Sequence, residues 1–158
     1  MKAAYFYGKE DIRIKECQLS KIKDDEILIK VKACGICGTD IHIYHGSPGS
    51  AQVKPPVILG HEYSGQVVEV GNKVPHIKIG DRVVVDPNMF CGDCFYCRSD
   101  ERHLCSNLTA LGVNMNGGFA QYCIVPASQA YKFSDTIDYK EAAMVEPVAV
   151  AAHALSLS

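Results

Sequence analysis

A mainly β fold with short helices is what this sequence predicts, and three observations predict it. Apolar runs of strand length, several of them alternating, recur through residues 1–133. Glycine, proline, asparagine and aspartate punctuate them at short intervals. Past Phe133 the chain changes character and becomes alanine-rich and helical. Many short strands with Gly and Pro turns make a small barrel or sandwich.

The elements follow in order. AAYFY (3–7) and IRIKECQL (12–19) are two runs separated by the turn signal GKED. EILIKVKACGIC (26–37) alternates Ile27, Ile29 and Val31 against polar neighbours, as a half-buried strand does. SGQVVEVG (64–71) and DRVVVDP (81–87) form a further pair, joined by a loop carrying Gly71, Asn72, Pro75 and Gly80. GGFAQYCIVP (117–126) and AYKF (130–133) complete the β set. Cys17 and Cys123 fall in these strands and are expected in the core. Asp138, with Glu141 three residues on, forms a capping box for the first helix. Pro147 then belongs in the first turn of a second. No glycine cap or strand follows it, so the chain reads as a domain leading into something further.

Composition narrows the function. With 47 % hydrophobic and 22 % charged residues, the chain is an ordinary soluble globular one. A net charge of -2 and the lack of a basic block argue against a nucleic-acid partner. MKAAYFYGKED holds no apolar leader core, and the run from Ala142 to Leu157 is broken by Glu146, Pro147 and His153. Neither a signal peptide nor a membrane span is expected, and a cytoplasmic location is the default. In a reducing compartment, eight cysteines point to metal ligation before disulfides.

Four of the eight sit together. CGDCFYCRSDERHLC has the spacing C-x2-C-x2-C-x7-C through Cys91, Cys94, Cys97 and Cys105. Four thiolates on one loop can close a tetrahedron around Zn²⁺ with no open position, which makes such a site structural. Iron–sulfur ligation begins with the same spacing, but its last gap is three and a proline follows. Here the gap is seven and no proline follows Cys105, which favours zinc. Unpaired loop thiols are the bland alternative, and four within so short a stretch argue against it. Balanced charges at Asp93, Asp100, Glu101, Arg98 and Arg102 argue against a nucleic-acid ribbon.

A second constellation is split between CGICGTDIH (34–42) and GHEYSGQVVEVG (60–71). Alone, His61 is a satisfied polar residue near a core, Glu62 a solvated charge, and Cys34 with Cys37 a redox pair. A redox pair opens a helix within a βαβ unit, and no such unit is predicted. Taken together, thiolate, imidazole and carboxylate form the mixed set of a catalytic zinc site, with a position left for water or substrate.

In this combination the chain resembles the N-terminal GroES-like catalytic domain of the zinc-dependent medium-chain alcohol dehydrogenases. Gly60, His61, Glu62, Gly65, Gly71 and Val74 match that family's signature, and CGICGTD, the four-cysteine lobe, GGFAQY (117–122) and Glu146–Pro147 follow in the right order. The resemblance implies a partly open β-barrel over residues 1–133, with a structural zinc lobe at 91–105. Residues 134–158 become a helical lead-in to a dinucleotide-binding domain.

It also implies roles. Cys37 and His61 are similar to the ligands of the catalytic zinc, and Glu62 and Glu146 to carboxylates at or just behind that metal. Thr39 is similar to the hydroxyl that takes the alcohol proton, and His42 to the next group in the relay. Asp40 resembles a partner that orients a ligand imidazole. Cys91, Cys94, Cys97 and Cys105 would hold the second of two Zn²⁺ ions per chain. Cys34 is left as a buried strand-end thiol. His45 is close enough in sequence to line the cleft, and His76, His103 and His153 are surface or structural groups.

The implied reaction oxidises a small secondary alcohol or polyol to a ketone with NAD(P) as hydride acceptor. The Glu146–Pro147 step, and Gly38 rather than arginine after Cys37, are similar to the sorbitol and butanediol branch. A threonine dehydrogenase is the competing reading, and a zinc-binding module without activity is another. No G-x-G-x-x-G turn occurs in the sequence, so the family's Rossmann domain is absent from it. The expectation is therefore a part of a longer protein, inactive alone, with NAD(P) bound mainly by the missing domain. Full-length members of the family are homodimers or homotetramers.

Overall fold

The computed structural model describes residues 1–48 and 51–156. Strands β1 (Lys2–Gly8), β2 (Asp11–Glu16) and β3 (Glu26–Cys34) lead into helix α1 (Gly38–His45). β4 (Val57–Ile58), β5 (Tyr63–Val70), β6 (Arg82–Val85) and β7 (Asn88–Met89) come next, followed by the short helix α2 (Phe95–Arg98). β8 (Thr109–Ala110), β9 (Tyr122–Pro126) and β10 (Ala130–Lys132) finish the β part, before α3 (Tyr139–Ala143) and α4 (Val145–Ser156). The fold is mainly β with few short helices and open sheets, as the sequence predicts.

The principal sheet has the order β10-β6-β5-β3-β9, and all its pairs are antiparallel. Alternation puts Ile27 and Ile29, Val83 and Val85, and Cys123 and Val125 on one side of it. These residues close with Tyr63, Val67 and Leu111 into the main core. A second sheet, β2-β1-β4, joins the first where Ala3 bridges Ala120 and Ala4 N–H donates to Phe119 O at 2.8 Å. The pairing of β3 with β5 matters most for function. Its register ends at Cys34 opposite Tyr63, so the loop after β3 lies beside the residues just before β5. Gly35 N–H donates to Glu62 O at 2.7 Å and ties the two segments together.

Several boundaries differ from the sequence reading, each for a local reason. β2 stops at Glu16 rather than residue 19, and its side chains are largely exposed, Ile14 at 77 %. Cys17 lies just past the strand and is only half-buried, so it is not a core residue; Cys123 is. The run 26–37 is strand only as far as Cys34, and helix α1 follows. In the run 117–126, ladder pairing with β3 begins at Tyr122, because the residues before it are bonded elsewhere. Gly117 N–H donates to Ile58 O, Gly118 N–H to Gly60 O and Phe119 N–H to Leu59 O. Gly118 also packs against the Tyr63 ring, where a Cβ would collide.

The helical end matches expectation closely. The Asp138 carboxylate accepts from Lys140 N–H (2.7 Å) and Glu141 N–H (2.8 Å), and Glu141 accepts in return from Asp138 N–H at 3.0 Å. Ala142 and Ala143 bury the inner face of α3 against β3 and β5. Pro147 stands in the first turn of α4, where its missing N–H costs no helical bond. Among the described residues no helix is long and apolar enough to cross a membrane.

Candidate metal centres

The four-cysteine lobe hangs from the small sheet of β7 and β8, which brings its two ends together. Within it, Cys91 Sγ lies 3.5 Å from Cys105 Sγ and 3.9 Å from Cys97 Sγ, and Cys94 Sγ lies 4.0 Å from Cys105 Sγ. These distances are far too long for S–S bonds, which are near 2.05 Å. They bracket the ~3.8 Å edge of a sulfur tetrahedron with metal–sulfur bonds of ~2.3 Å. Backbone donors support the anionic form: Cys91 N–H points to Cys105 Sγ at 3.4 Å, and Cys97 N–H to Cys94 Sγ at 3.5 Å. The Cys97 N–H draws the Cys94 thiol down to about 6, and the Cys91 N–H lowers that of Cys105. A hydrogen bond with the Asp93 side chain raises Cys91 to about 12. Four sulfurs this close cannot all ionise without a cation among them, and a dication resolves that conflict. The lobe therefore fits zinc.

The second cluster assembles at the end of β3 and the start of β5. Donor atoms of Cys37, His61 and Glu62 all lie within 4.8 Å of one another. Ligand bonds of about 2.0–2.3 Å from each can therefore meet at one ion. His61 and Glu62 are buried at 7 % and 9 % exposure, and Cys37 is half-buried. His61 Nδ1 is buried without a hydrogen-bond partner and faces Asp40 Oδ1 at 3.8 Å. Asp40, 4 % exposed, is itself tied down: it accepts from Cys37 N–H at 2.9 Å and from Gly60 N–H at 3.3 Å. Burial raises the Asp40 carboxyl, and the Cys37 N–H opposes that. One carboxylate thus steadies the Cys37 segment and faces the imidazole ring. This mixed sulfur, nitrogen and oxygen set fits a zinc ion with an open coordination position.

Two glycines make room for the cluster. A Cβ on Gly35 would run into Glu62 Oε2. Gly60 has φ +91°, and a side chain there would meet the Phe119 ring and Cys34 Sγ. Sequence reasoning passed over Gly35; the glycine on either side of Ile36 and Cys37 was the available signal. Gly35→Ala is expected to displace the Glu62 carboxylate and weaken metal binding at this centre by tenfold or more. Competitive zinc titration, with the lobe's ion as internal reference, measures it.

A helix does follow the Cys34–Cys37 pair, contrary to the expectation used against a redox reading. β3 nevertheless runs antiparallel to both neighbours, so there is no βαβ unit. Burial also drives the Cys34 thiol up to about 12, away from the low-pKa thiolate that disulfide exchange needs. All eight cysteines are free.

The remaining candidates fall into place around this cluster. Thr39 and His42 lie three residues apart on α1, on one face, with Thr39 half-buried and His42 exposed. Glu146, on the first turn of α4, does not join the converging donors. It is close enough for His61, Glu62 and Asp86 to act on it, and burial raises its carboxyl. His45 points away from the cluster, with Nδ1 3.4 Å from Glu10 Oε1. His76 Nε2 lies 3.3 Å from Ala127 O, and the rings of His103 and His153 meet edge to face at 5.2 Å. A cavity of about 600 Å³ runs from Glu146 along α4 to that histidine pair, walled by Val84, Val85 and Val150.

The chain belongs to the zinc-dependent medium-chain alcohol dehydrogenases: the family model for the alcohol dehydrogenase GroES-like domain matches residues 23–135. It is 41 % identical over 148 residues to the L-threonine 3-dehydrogenase of Caldanaerobacter subterraneus subsp. tengcongensis, covering 93 % of this chain and 43 % of that protein. With the sorbitol dehydrogenase of Bacillus subtilis it shares 40 % over 156 residues, covering 98 % and 44 %. Among solved structures, 2R,3R-butanediol dehydrogenase from Bacillus subtilis superimposes with a TM-score of 0.88 at 38 % identity, over 98 % of this chain and 46 % of that one. A Sinorhizobium meliloti protein provisionally described as a zinc-binding dehydrogenase, bound to NADP, reaches 0.94 at 41 %, over 99 % and 45 %. The chain therefore spans less than half the length of these relatives.

Proposed function

We propose that this chain carries the metal-binding, alcohol-activating part of a dehydrogenase that oxidises a small secondary alcohol or polyol to a ketone. The observation that carries the reading is the convergence of Cys37, His61 and Glu62 on one point, with Asp40 behind the imidazole and Glu146 nearby. A purely structural site has no need of a mixed thiol, imidazole and carboxylate set.

In this reading Cys37, His61 and Glu62 would hold the catalytic zinc, and Glu146 would be a further carboxylate serving it. Zinc, when bound, supplies Lewis-acid catalysis, which lowers the pKa of coordinated water from about 15.7 to about 7 and eases ionisation of an alcohol in the same way. Thr39 Oγ1 takes the hydroxyl proton, and exposed His42 passes it on to solvent. Asp40 faces the His61 ring at 3.8 Å and orients it by charge rather than by a hydrogen bond. No side chain here accepts a hydride, so NAD(P) is the required acceptor, held mainly by polypeptide outside these residues. Cys91, Cys94, Cys97 and Cys105 hold a second, structural zinc that keeps residues 91–105 folded.

Polyol and threonine readings share the secondary alcohol chemistry, and relatives at 40 % and 41 % identity do not separate them. Cobalt exchanged into the mixed centre gives a visible spectrum that tests the reading. Sorbitol, 2,3-butanediol or threonine is expected to perturb it by entering the open position. A spectrum indifferent to all three would mean a closed centre and favour the non-catalytic module.

A further inference from the structure

Arg82 opens β6, and its guanidinium is committed to one short stretch of chain. Nη2 donates to Ile137 O at 2.6 Å and Nη1 to Ser134 O at 3.3 Å. The plane lies 4.6 Å from the centre of the Phe133 ring and 4.5 Å from that of Tyr139. Those two rings meet each other edge to face at 5.8 Å. The ion pair with Asp135, at 3.5 Å, adds little, because Asp135 is almost fully exposed. Stacking and the fork of donors do the holding, and lysine offers neither. Ser64 Oγ completes the grip by donating to Tyr139 O, at the first residue of α3.

The other end of β6 lies beside Glu146. Asp86, which follows the strand, acts on the Glu146 carboxyl, and Val84, Val85, Asp86 and Glu146 share one cavity wall. From Tyr139 the chain runs through α3, breaks at Met144 and reaches Glu146 in the first turn of α4, a path of at most about 10 Å. Arg82 to Asp86, in extended backbone, covers about 13 Å. The strand and the helical segment thus run between the same two anchor points, one at Arg82 and one where Asp86 and Glu146 line the same cavity. Burial of Ala142 and Ala143 against the sheet keeps the helical segment from sliding between them.

We propose that Arg82 is a positioning residue for Glu146: by clamping residues 133–139 it sets where α3 and α4 begin, and so holds the Glu146 carboxylate at the mixed centre. This rests on the reading that Glu146 serves that metal.

The test uses the 158-residue chain with zinc in the lobe and cobalt in the mixed centre, read by visible spectrum and cobalt affinity. Glu146→Gln is expected to alter both. Arg82→Met is expected to change the spectrum in the same sense and to weaken cobalt binding by roughly tenfold, while the lobe keeps its zinc. In the Glu146→Gln background Arg82→Met should add nothing, because its effect passes through that carboxylate. Arg82→Lys should not rescue. If Arg82→Met costs the chain its fold, Tyr139→Leu removes one stacked ring, leaves the carbonyl bonds, and is held to the same criteria. Wild-type spectrum and affinity in the clamp variant, equal weakening in both backgrounds, or full rescue by lysine would overturn the proposal while leaving the role of Glu146 intact. A silent Glu146→Gln would overturn that role itself, and the proposal with it.

Discussion

Replacing Cys37 by alanine should take the zinc content of the chain from two ions to one. The Cys37 sulfur is one of three donors that converge on the mixed centre, and neither His61 nor Glu62 can substitute for it. What remains is an imidazole and a carboxylate, a two-ligand set expected to lose zinc to mild chelation. The lobe should be untouched, because no residue from 91 to 105 takes part in the mixed cluster. Elemental analysis of the purified variant, before and after dilute chelator, reads this directly. Wild type is expected to hold two ions, one of them easily stripped, and Cys37→Ala only the resistant one. Equal loss of both ions would mean that the centres are not independent, and the two-site description would fall.

Cys97→Ala should have the opposite profile: a smaller change in chemistry and a larger one in stability. The lobe buries little apolar surface of its own; Phe95 is 70 % exposed and Leu104 48 %. If its order depends on the four sulfurs, as the proposed structural zinc requires, metal binding there is folding free energy, on the order of 10–16 kcal/mol for structural zinc in small peptides. Removing one ligand gives up several kcal/mol of that. Residues 91–105 are expected to become protease-sensitive, and the loss to reach the β7–β8 pair and the core neighbours Met89 and Leu111. Limited proteolysis and a fall of many degrees in Tm would show it. A variant as protease-resistant as the wild type would argue against a metal-dependent lobe.

Much of this was legible in the residues alone, because the relevant signals are local. Ile27 and Ile29, or Val83 and Val85, alternate with the pleat whatever lies around them, and Asp138 and Glu141 cap a helix from within four residues. The cysteine spacing of the lobe is likewise a local fact. Helix α1 was missed because Thr39, Ile41, Ile43 and two histidines make GTDIHIYH a poor helix former. Its helical state is imposed by its surroundings, through Ile43 packed beside Phe6 and Leu59, and Asp40 bonded to Gly60 N–H. Cys17 was misplaced because burial was inferred from a strand pattern: its backbone still bonds to Met1, but the residue sits just past the end of β2 and is only half-buried. The space that Gly35 leaves for Glu62 is a contact between distant segments, and no spacing rule reveals it.

The two centres differ in how far apart along the chain their ligands lie. The lobe gathers its four from a single short loop, which an unfolded chain closes at modest entropic cost. The mixed centre draws Cys37 from the turn between β3 and α1 and His61 and Glu62 from the approach to β5, and these meet only once the β3–β5 register is set. The lobe can therefore capture an ion while the chain is still emerging, whereas the mixed centre exists only in the finished sheet. On the function proposed above, metal supply would act twice, first as a condition for folding and later as a condition for reactivity.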